Sequence, residues 1–454
     1  MVAQVRGKGE GDAIFFPIRY GPTMTSDQTL QDLLSRVNQA LGSKRGAKLL
    51  AEIAWPRSVE EEFFSRGEDH LPKVTYDVDR NSVEARIAEL SAIEKSLRGD
   101  EPIIEWLRST VTSHIDGNRL MLGVGTRAFY QQSREIYGGA RSSFYGYPLR
   151  NLDLADHLFA RLKTHGWDVA TDPEEEPISA KELQERLSAR IAARRPHMNV
   201  DVVLDDAITA KVVAGMSRVR IRPDATFALW EAEGLYHHEV ETHALTAHNG
   251  AKQKNATFLR SGGPRATRTQ EGLAMFSELY NRALSIDRIE RLALRVKLVD
   301  MAEQGASFLD LYRYLVKRGA SKRDAYFDAQ RICRGGLVQG GAPYTKDACY
   351  LAGLLEVYTF LAAITRGGFR DELELLVCGR IQLDDITALA QLRSMGLLER
   401  PTFLPGWLEH WRTLLPYFAF TSFLTGIDMA PVEAHYRELI RMAEAVKPPS
   451  SRGG

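Results

Sequence analysis

Apolar residues recur at helical spacing through most of the chain. Leu30, Leu33, Leu34, Val37 and Leu41 follow a Ser at position 26 suited to capping, and the same period runs through 83–97 and 103–122. Residues 26–195 therefore predict a helical lobe behind a short N-terminal segment, 1–25. Within it, Asp172-Pro173-Glu174-Glu175-Glu176-Pro177 reads as an exposed acidic connector to a helix over 180–193. The period then changes. Residues 199–204 and 217–221 are short, β-branched and alternating, which predicts a small sheet. Helical spacing returns over 226–248, with Asn249-Gly250 as a C-cap, then a Gly-rich turn region over 251–266. Further helices are predicted over 267–283, 287–304, 308–317, 323–332, 346–364, 384–395 and 431–445, and 447–454 reads as a disordered tail. The expected class is α+β and predominantly helical, with 196–446 as a second unit.

Composition narrows the partners. The 454 residues carry 59 basic and 59 acidic side chains, an even balance that gives no electrostatic footprint for nucleic acid or a charged membrane surface. Neither partner is expected. Cys333, Cys349 and Cys378 show no CxxC spacing, which suits buried thiols in a reducing compartment. Residues 1–12 lack the apolar run of a secretory signal, and the charge-free apolar run over 414–427 is broken by Pro416 and Gly426, short of the ~20 residues a bilayer demands. A soluble, cytoplasmic protein is the expectation.

Histidine usage points to chemistry. His237, His238, His243 and His248 place four of 11 His in one short stretch. His238-Glu239 followed by His243, with Glu271 further on, supplies two imidazoles and a carboxylate for one zinc ion per chain and leaves a fourth position for water. Glu239, beside the first His, can take a proton from that water. The two His are five apart, however, and at ~100° per residue a regular helix would set them ~140° apart, too far to share an ion. A π-bulge between Glu239 and His243 is therefore predicted, in a segment where β-branched Val240 and Thr242 weaken the regular helix. Glu278 lies two turns beyond Glu271 and is either a hydrogen-bond partner for a ligand His or a solvated helix position. Strands followed by a ligand helix are the order found in zincins. Ser217-Arg218-Val219-Arg220-Ile221 is then either a sheet edge for an extended peptide, with Arg220 as a substrate contact, or an ordinary hairpin strand.

Several segments together resemble a known family. They are His237-His238-Glu239-Val240-Glu241-Thr242-His243 with Asn249-Gly250, Thr269-Gln270-Glu271-Gly272-Leu273-Ala274, Arg331-Ile332-Cys333-Arg334-Gly335-Gly336 and Tyr344-Thr345-Lys346-Asp347, with weaker likeness at Tyr137-Gly138-Gly139 and Tyr145-Gly146-Tyr147-Pro148. The chain is similar to the QEGLA-motif family, whose animal relatives are the microtubule-associated tyrosine carboxypeptidases that remove the C-terminal tyrosine of α-tubulin. The resemblance implies that His238, His243 and Glu271 bind zinc and that Glu239 is the general base of a carboxypeptidase. A peptide or protein C-terminal tail, with an aromatic, tyrosine-like last residue, is the substrate expected. Such a site needs an oxyanion donor, for which Tyr350, Tyr344 and Lys346 are candidates, and a cation for the substrate carboxylate, for which Arg331, Arg334 and Lys346 are candidates. The alternative is a non-catalytic metal-binding regulator or scaffold that holds a partner's C-terminal tail; the intact set of four site residues favours the enzyme.

Overall fold

Helical periodicity becomes helix with shifts of a few residues at the ends. The computed structural model describes residues 27–42, 49–144, 147–164, 176–208, 210–367 and 370–425, at 65% helix and 5% strand. The 83–97 pattern is the helix Arg80–Ser96, started by Asp79, whose side chain accepts the Ser82 amide at 3.1 Å. The 308–317 pattern is Phe308–Lys317, opened by a reciprocal capping box between Ser307 and Asp310. The expected 431–445 helix, the 447–454 tail, residues 1–25, Tyr145-Gly146 and most of the acidic connector lie outside the described residues.

One apolar core crosses position 195. Leu107, Val111 and Ile115 of the helix Pro102–Leu122 join Val219, Val240, Leu273, Phe276 and Trp407 in a single cluster. Each such side chain contributes ~1.5–3 kcal/mol through burial. A second cluster gathers Phe63, Phe308, Tyr312 and Tyr326 around the helix Ile286–Glu303.

Among the described residues seven short strands form three small sheets: β1 (Ser143–Phe144) with β2 (Tyr147–Arg150), β3 (Ile178–Ser179) with β7 (Thr226–Phe227), and β4 (Asp201–Leu204), β6 (Arg218–Ile221) and β5 (Val212–Ala214) in the order β4-β6-β5. The order corrects one expectation. The 217–221 segment is the central strand, parallel to β4 and antiparallel to β5, so it offers no edge. The edges are β4 and β5, of which β5 is too short to stand out in sequence. Arg222 N donates to Lys211 O and Gly215 N to Arg218 O, so the alternate residues Val212 and Ala214 turn their backbone groups away from β6.

The 226–248 helix is also corrected at both ends. Thr226-Phe227 is strand β7, where Phe227 is buried, and helix begins at Glu231. It continues to Ala251, so Asn249-Gly250 lies inside the last turn and is not a cap. Asn249 is buried, donates to Val377 O and Phe403 O, and accepts the amides of Thr402 and Phe403. The stretch Thr345–Thr365 is long and apolar enough to cross a membrane by length and composition. Its face is occupied within the fold: Gly353 lies against the helix Thr267–Tyr280.

Candidate metal centre and cleft

Residues Tyr236–Ala244 wind as a π-helix between the α-helical stretches Glu231–Leu235 and Leu245–Ala251. Hydrogen bonding five residues back brings residues five apart onto one face. The His238 and His243 rings consequently meet edge to face with centroids 4.9 Å apart. The wide turn is held from both sides. Thr242 Oγ1 bonds the His237 carbonyl at 3.0 Å and meets Ser277 Oγ at 3.1 Å. On the other side Glu241 accepts two bonds of 2.6 Å from Arg195, one of 2.8 Å from Tyr236 and one from the Gly406 amide. Burial pushes the Glu241 carboxyl up, yet the Arg195 bonds outweigh it and hold the group below its ordinary range.

Glu271 enters from the helix Thr267–Tyr280, which lies against the helix Cys349–Gly367 at the Gly272–Gly353 contact. Its Oε2 stands 3.5 Å from His238 Nε2 and 3.5 Å from His243 Nε2, and the three donor atoms lie within 4.8 Å of one another. A tetrahedral ion with bonds of ~2.0–2.2 Å keeps its donors ~3.4 Å apart, so the spacing suits a zinc-sized cation. Glu271 Oε1 accepts Lys346 Nζ at 2.8 Å, whereas the buried Oε2 has no hydrogen-bond partner. A buried carboxylate oxygen so placed is a donor atom with nothing yet to bind. His238 Nδ1 bonds Glu278 Oε1 at 2.6 Å, which leaves Nε2 for the cluster, and Arg288 Nη2 lies 3.5 Å from the same oxygen. Burial alone would depress the His238 imidazole, but Glu271 and Glu278 outweigh it and push it up to about 10. These surroundings favour positive charge at that position.

Glu239 is buried beside the cluster, and its Oε2 accepts the Ala214 amide of edge strand β5 at 3.1 Å. Two cavities, of about 480 and 370 Å³, meet there and share Val212, His238, Glu239, Arg331, Arg334 and Tyr350. The larger extends towards Arg288, Arg291 and Arg295; the smaller is walled by Leu50, Ala54, Ile208 and Arg380.

The other residues expected from sequence are distributed unevenly. Lys346 bonds Glu271 and reaches Tyr350 OH at 3.2 Å, and Tyr350 lines both cavities. Arg331 makes a two-pronged pair with Asp347, both bonds 2.8 Å. Arg334 is buried, lines both cavities, and its Nε has no partner. Arg220 sits on central strand β6, pairs with Asp205 at 3.4 Å and borders the smaller cavity. Tyr344 lines neither cavity. It is packed against Phe129 and Tyr137, with the Arg334 guanidinium over its ring.

Sequence reading missed Arg295, Arg380 and Glu241. Arg295 is buried, its Nε has no hydrogen-bond partner, and it lies 3.9 Å from Asp347. Burial, then Arg331, pushes its guanidinium down to about 10. Its signal was an Arg on the apolar stripe of Leu292, Val296 and Val299. Arg380 occupies irregular backbone and carried no periodic signal. Glu241 was legible only as one more acid in a charged stretch.

A family model described as microtubule-associated tyrosine carboxypeptidase matches residues 61–426. No curated protein matches the chain.

Proposed function

Because the chain belongs to the microtubule-associated tyrosine carboxypeptidase family, we propose that it is a zinc-dependent carboxypeptidase with a zincin-like core that releases the last, tyrosine-like residue of a peptide or protein tail. His238, His243 and Glu271 would hold one zinc ion per chain. The observation that carries this reading is a surplus of buried positive charge in the same cleft as an unsatisfied three-donor cluster. Arg295 and Arg331 share the partner Asp347, Arg334 forms no ion pair among the described residues, and the Nε atoms of Arg295 and Arg334 have no hydrogen-bond partner. Burying an uncompensated guanidinium is costly, so the cluster suits an arriving carboxylate, which Arg binds with a planar fork.

When bound, the zinc would polarise the scissile carbonyl and lower the pKa of a water molecule towards ~7. The chain's own groups do the rest. An extended tail lies along β5, whose Val212 backbone groups face the cleft. Its carboxylate points to Arg295 and Arg334. Glu239, fixed by the Ala214 amide, takes a proton from the attacking water and returns it to the leaving amine.

Peptides ending in a free carboxylate, compared with the same peptides amidated, test the reading. Amidation is expected to lower kcat/KM at least 100-fold, and Arg334→Met to raise KM about tenfold or more for the free acid only, since a lost charge-assisted hydrogen bond is worth ~1.5–3 kcal/mol. Equal cleavage of amidated peptides would replace the carboxypeptidase by an internal peptidase. One zinc per chain with no cleavage of any peptide would favour the scaffold. A related prediction concerns Glu278: Glu278→Gln is expected to weaken zinc binding by ~10–100-fold in a chelator competition, because His238 loses the carboxylate that orients it. Unchanged affinity would remove Glu278 from the support of the ion.

A further inference from the structure

Arg380 lies on irregular backbone ahead of the turn Leu383–Asp385 and is firmly seated. Its amide donates to Leu259 O at 2.7 Å, and Gly262 lies so close beneath it that a Cβ there would fall 2.5 Å from Arg380 O. The side chain runs to the ligand segment, where Nη2 donates to the His243 carbonyl at 3.1 Å. Its Nε is buried without a hydrogen-bond partner, and among the described residues no carboxylate forms an ion pair with it. Glu271 and Glu239 favour its charge without touching it, and the residue shares the smaller cavity with His243, Glu239 and Glu271. Arg380 is therefore a fixed, desolvated cation at the reaction centre with no direct ion-pair partner among the described residues.

A cation of that kind matters most for charge that appears only during the reaction. Of the other candidates, Lys346 is held by Glu271 and also donates to Tyr350 OH, and Tyr344 lines neither cavity. Resting on the peptidase reading above, we propose that Arg380 is the donor that stabilises the oxyanion developing on the scissile carbonyl. As the water oxygen bonds to the carbonyl carbon, the carbonyl π pair moves onto oxygen beside the guanidinium, and the water's proton goes to Glu239. When that pair returns, the C–N bond breaks and the Glu239 proton goes to nitrogen. Tethering to His243 O holds the guanidinium in one place relative to the imidazole throughout, so little reorganisation is required.

Arg380→Met and Arg380→Lys in the zinc-loaded full chain test this. The Met variant is expected to lose ~10²–10³ in kcat, the range for removal of one oxyanion-hole donor, with KM within threefold and zinc content unchanged. A phosphinate pseudopeptide, which mimics the tetrahedral geometry, should bind the Met variant more weakly by a similar factor in calorimetry, while the product peptide binds as it does to wild type. Added guanidinium should restore part of kcat in the Met variant, and the Lys variant should fall between the two. A kcat within threefold of wild type would overturn the assignment, as would a loss confined to KM for substrates with an acidic penultimate residue, which would make Arg380 a ground-state contact. Loss of zinc from both variants would also overturn it, reducing Arg380 to a prop for His243. A wild-type chain that cleaves nothing defeats the peptidase reading itself; a wild type that cleaves beside an equally active Met variant defeats only the role of Arg380.

Discussion

Glu239→Gln is expected to lower hydrolysis of a C-terminal peptide by about 10³–10⁴-fold while zinc content and the unfolding midpoint stay at wild-type values. General acid–base groups contribute ~10²–10⁴ each, and the upper part of that range applies because one carboxylate both accepts the water's proton and delivers it to the leaving nitrogen. The separation of activity from stability follows from local geometry. Glutamine keeps the shape of the side chain, and its amide oxygen can still accept the Ala214 amide that Glu239 Oε2 accepts at 3.1 Å. None of the three donor atoms of the cluster belongs to Glu239, so the ion's coordinating groups are untouched. Substrate should still bind, and the variant becomes a trap whose bound tails can be identified by mass spectrometry. Retention of more than a tenth of wild-type kcat would mean that another group moves the proton, and Glu239 would revert to a fixed element of the cleft wall.

What could be read from the sequence depended on whether a feature is periodic or local. The helices 308–317, 323–332 and 180–193 were legible because their apolar stripes run over several turns and their starts carry capping side chains. The π-turn was legible for a different reason: His238 and His243 are useless as a pair at regular helical spacing, so the chemistry itself called for the extra residue. Tertiary pairings were not legible. Nothing in Val212-Val213-Ala214 announces the edge strand, because three residues are too few to show alternation and the pairing partner lies across a turn. Asn249-Gly250 has the look of a helix end, yet it serves a crossing point: Gly250 is excluded from having a side chain by Arg260 N and Leu259 C, each 2.5 Å from where a Cβ would lie. The cationic face of the cleft was half legible. Arg331 and Arg334 stand in a distinctive segment, whereas Arg295 and Arg380 are brought to the cleft by the helix Ile286–Glu303 and by irregular backbone whose placement is a tertiary outcome.

The glycine after Glu271 ties the fold to the site, and Gly272→Ala is expected to cost about 1–2 kcal/mol of stability and to weaken metal binding at the same time. A Cβ at Gly272 would lie 2.1 Å from Gly353 O and 2.3 Å from Gly353 C; reciprocally, a Cβ at Gly353 would lie 2.2 Å from Arg268 O. The obstacle is backbone on both sides, so no rotamer change can relieve it and the helices Thr267–Tyr280 and Cys349–Gly367 must move apart. Overpacking of this kind costs ~1–3 kcal/mol, occasionally more, while Ala in place of Gly inside a helix returns only ~1 kcal/mol. The clash therefore outweighs the gain in propensity. Separation also displaces Glu271, the neighbouring residue, whose Oε2 is set 3.5 Å from both imidazoles, and strains the Lys346 bond from the adjoining turn Thr345–Ala348. Gly406→Ala is the matched control: a Cβ there meets nothing within 4 Å, and its amide keeps the bond to Glu241. Denaturant unfolding and zinc titration of the two variants should diverge, with Gly406→Ala close to wild type. If Gly272→Ala matched wild type in both, the close approach of these helices would not set the position of Glu271, and the spacing of the three donors would have to come from the ligand helix alone.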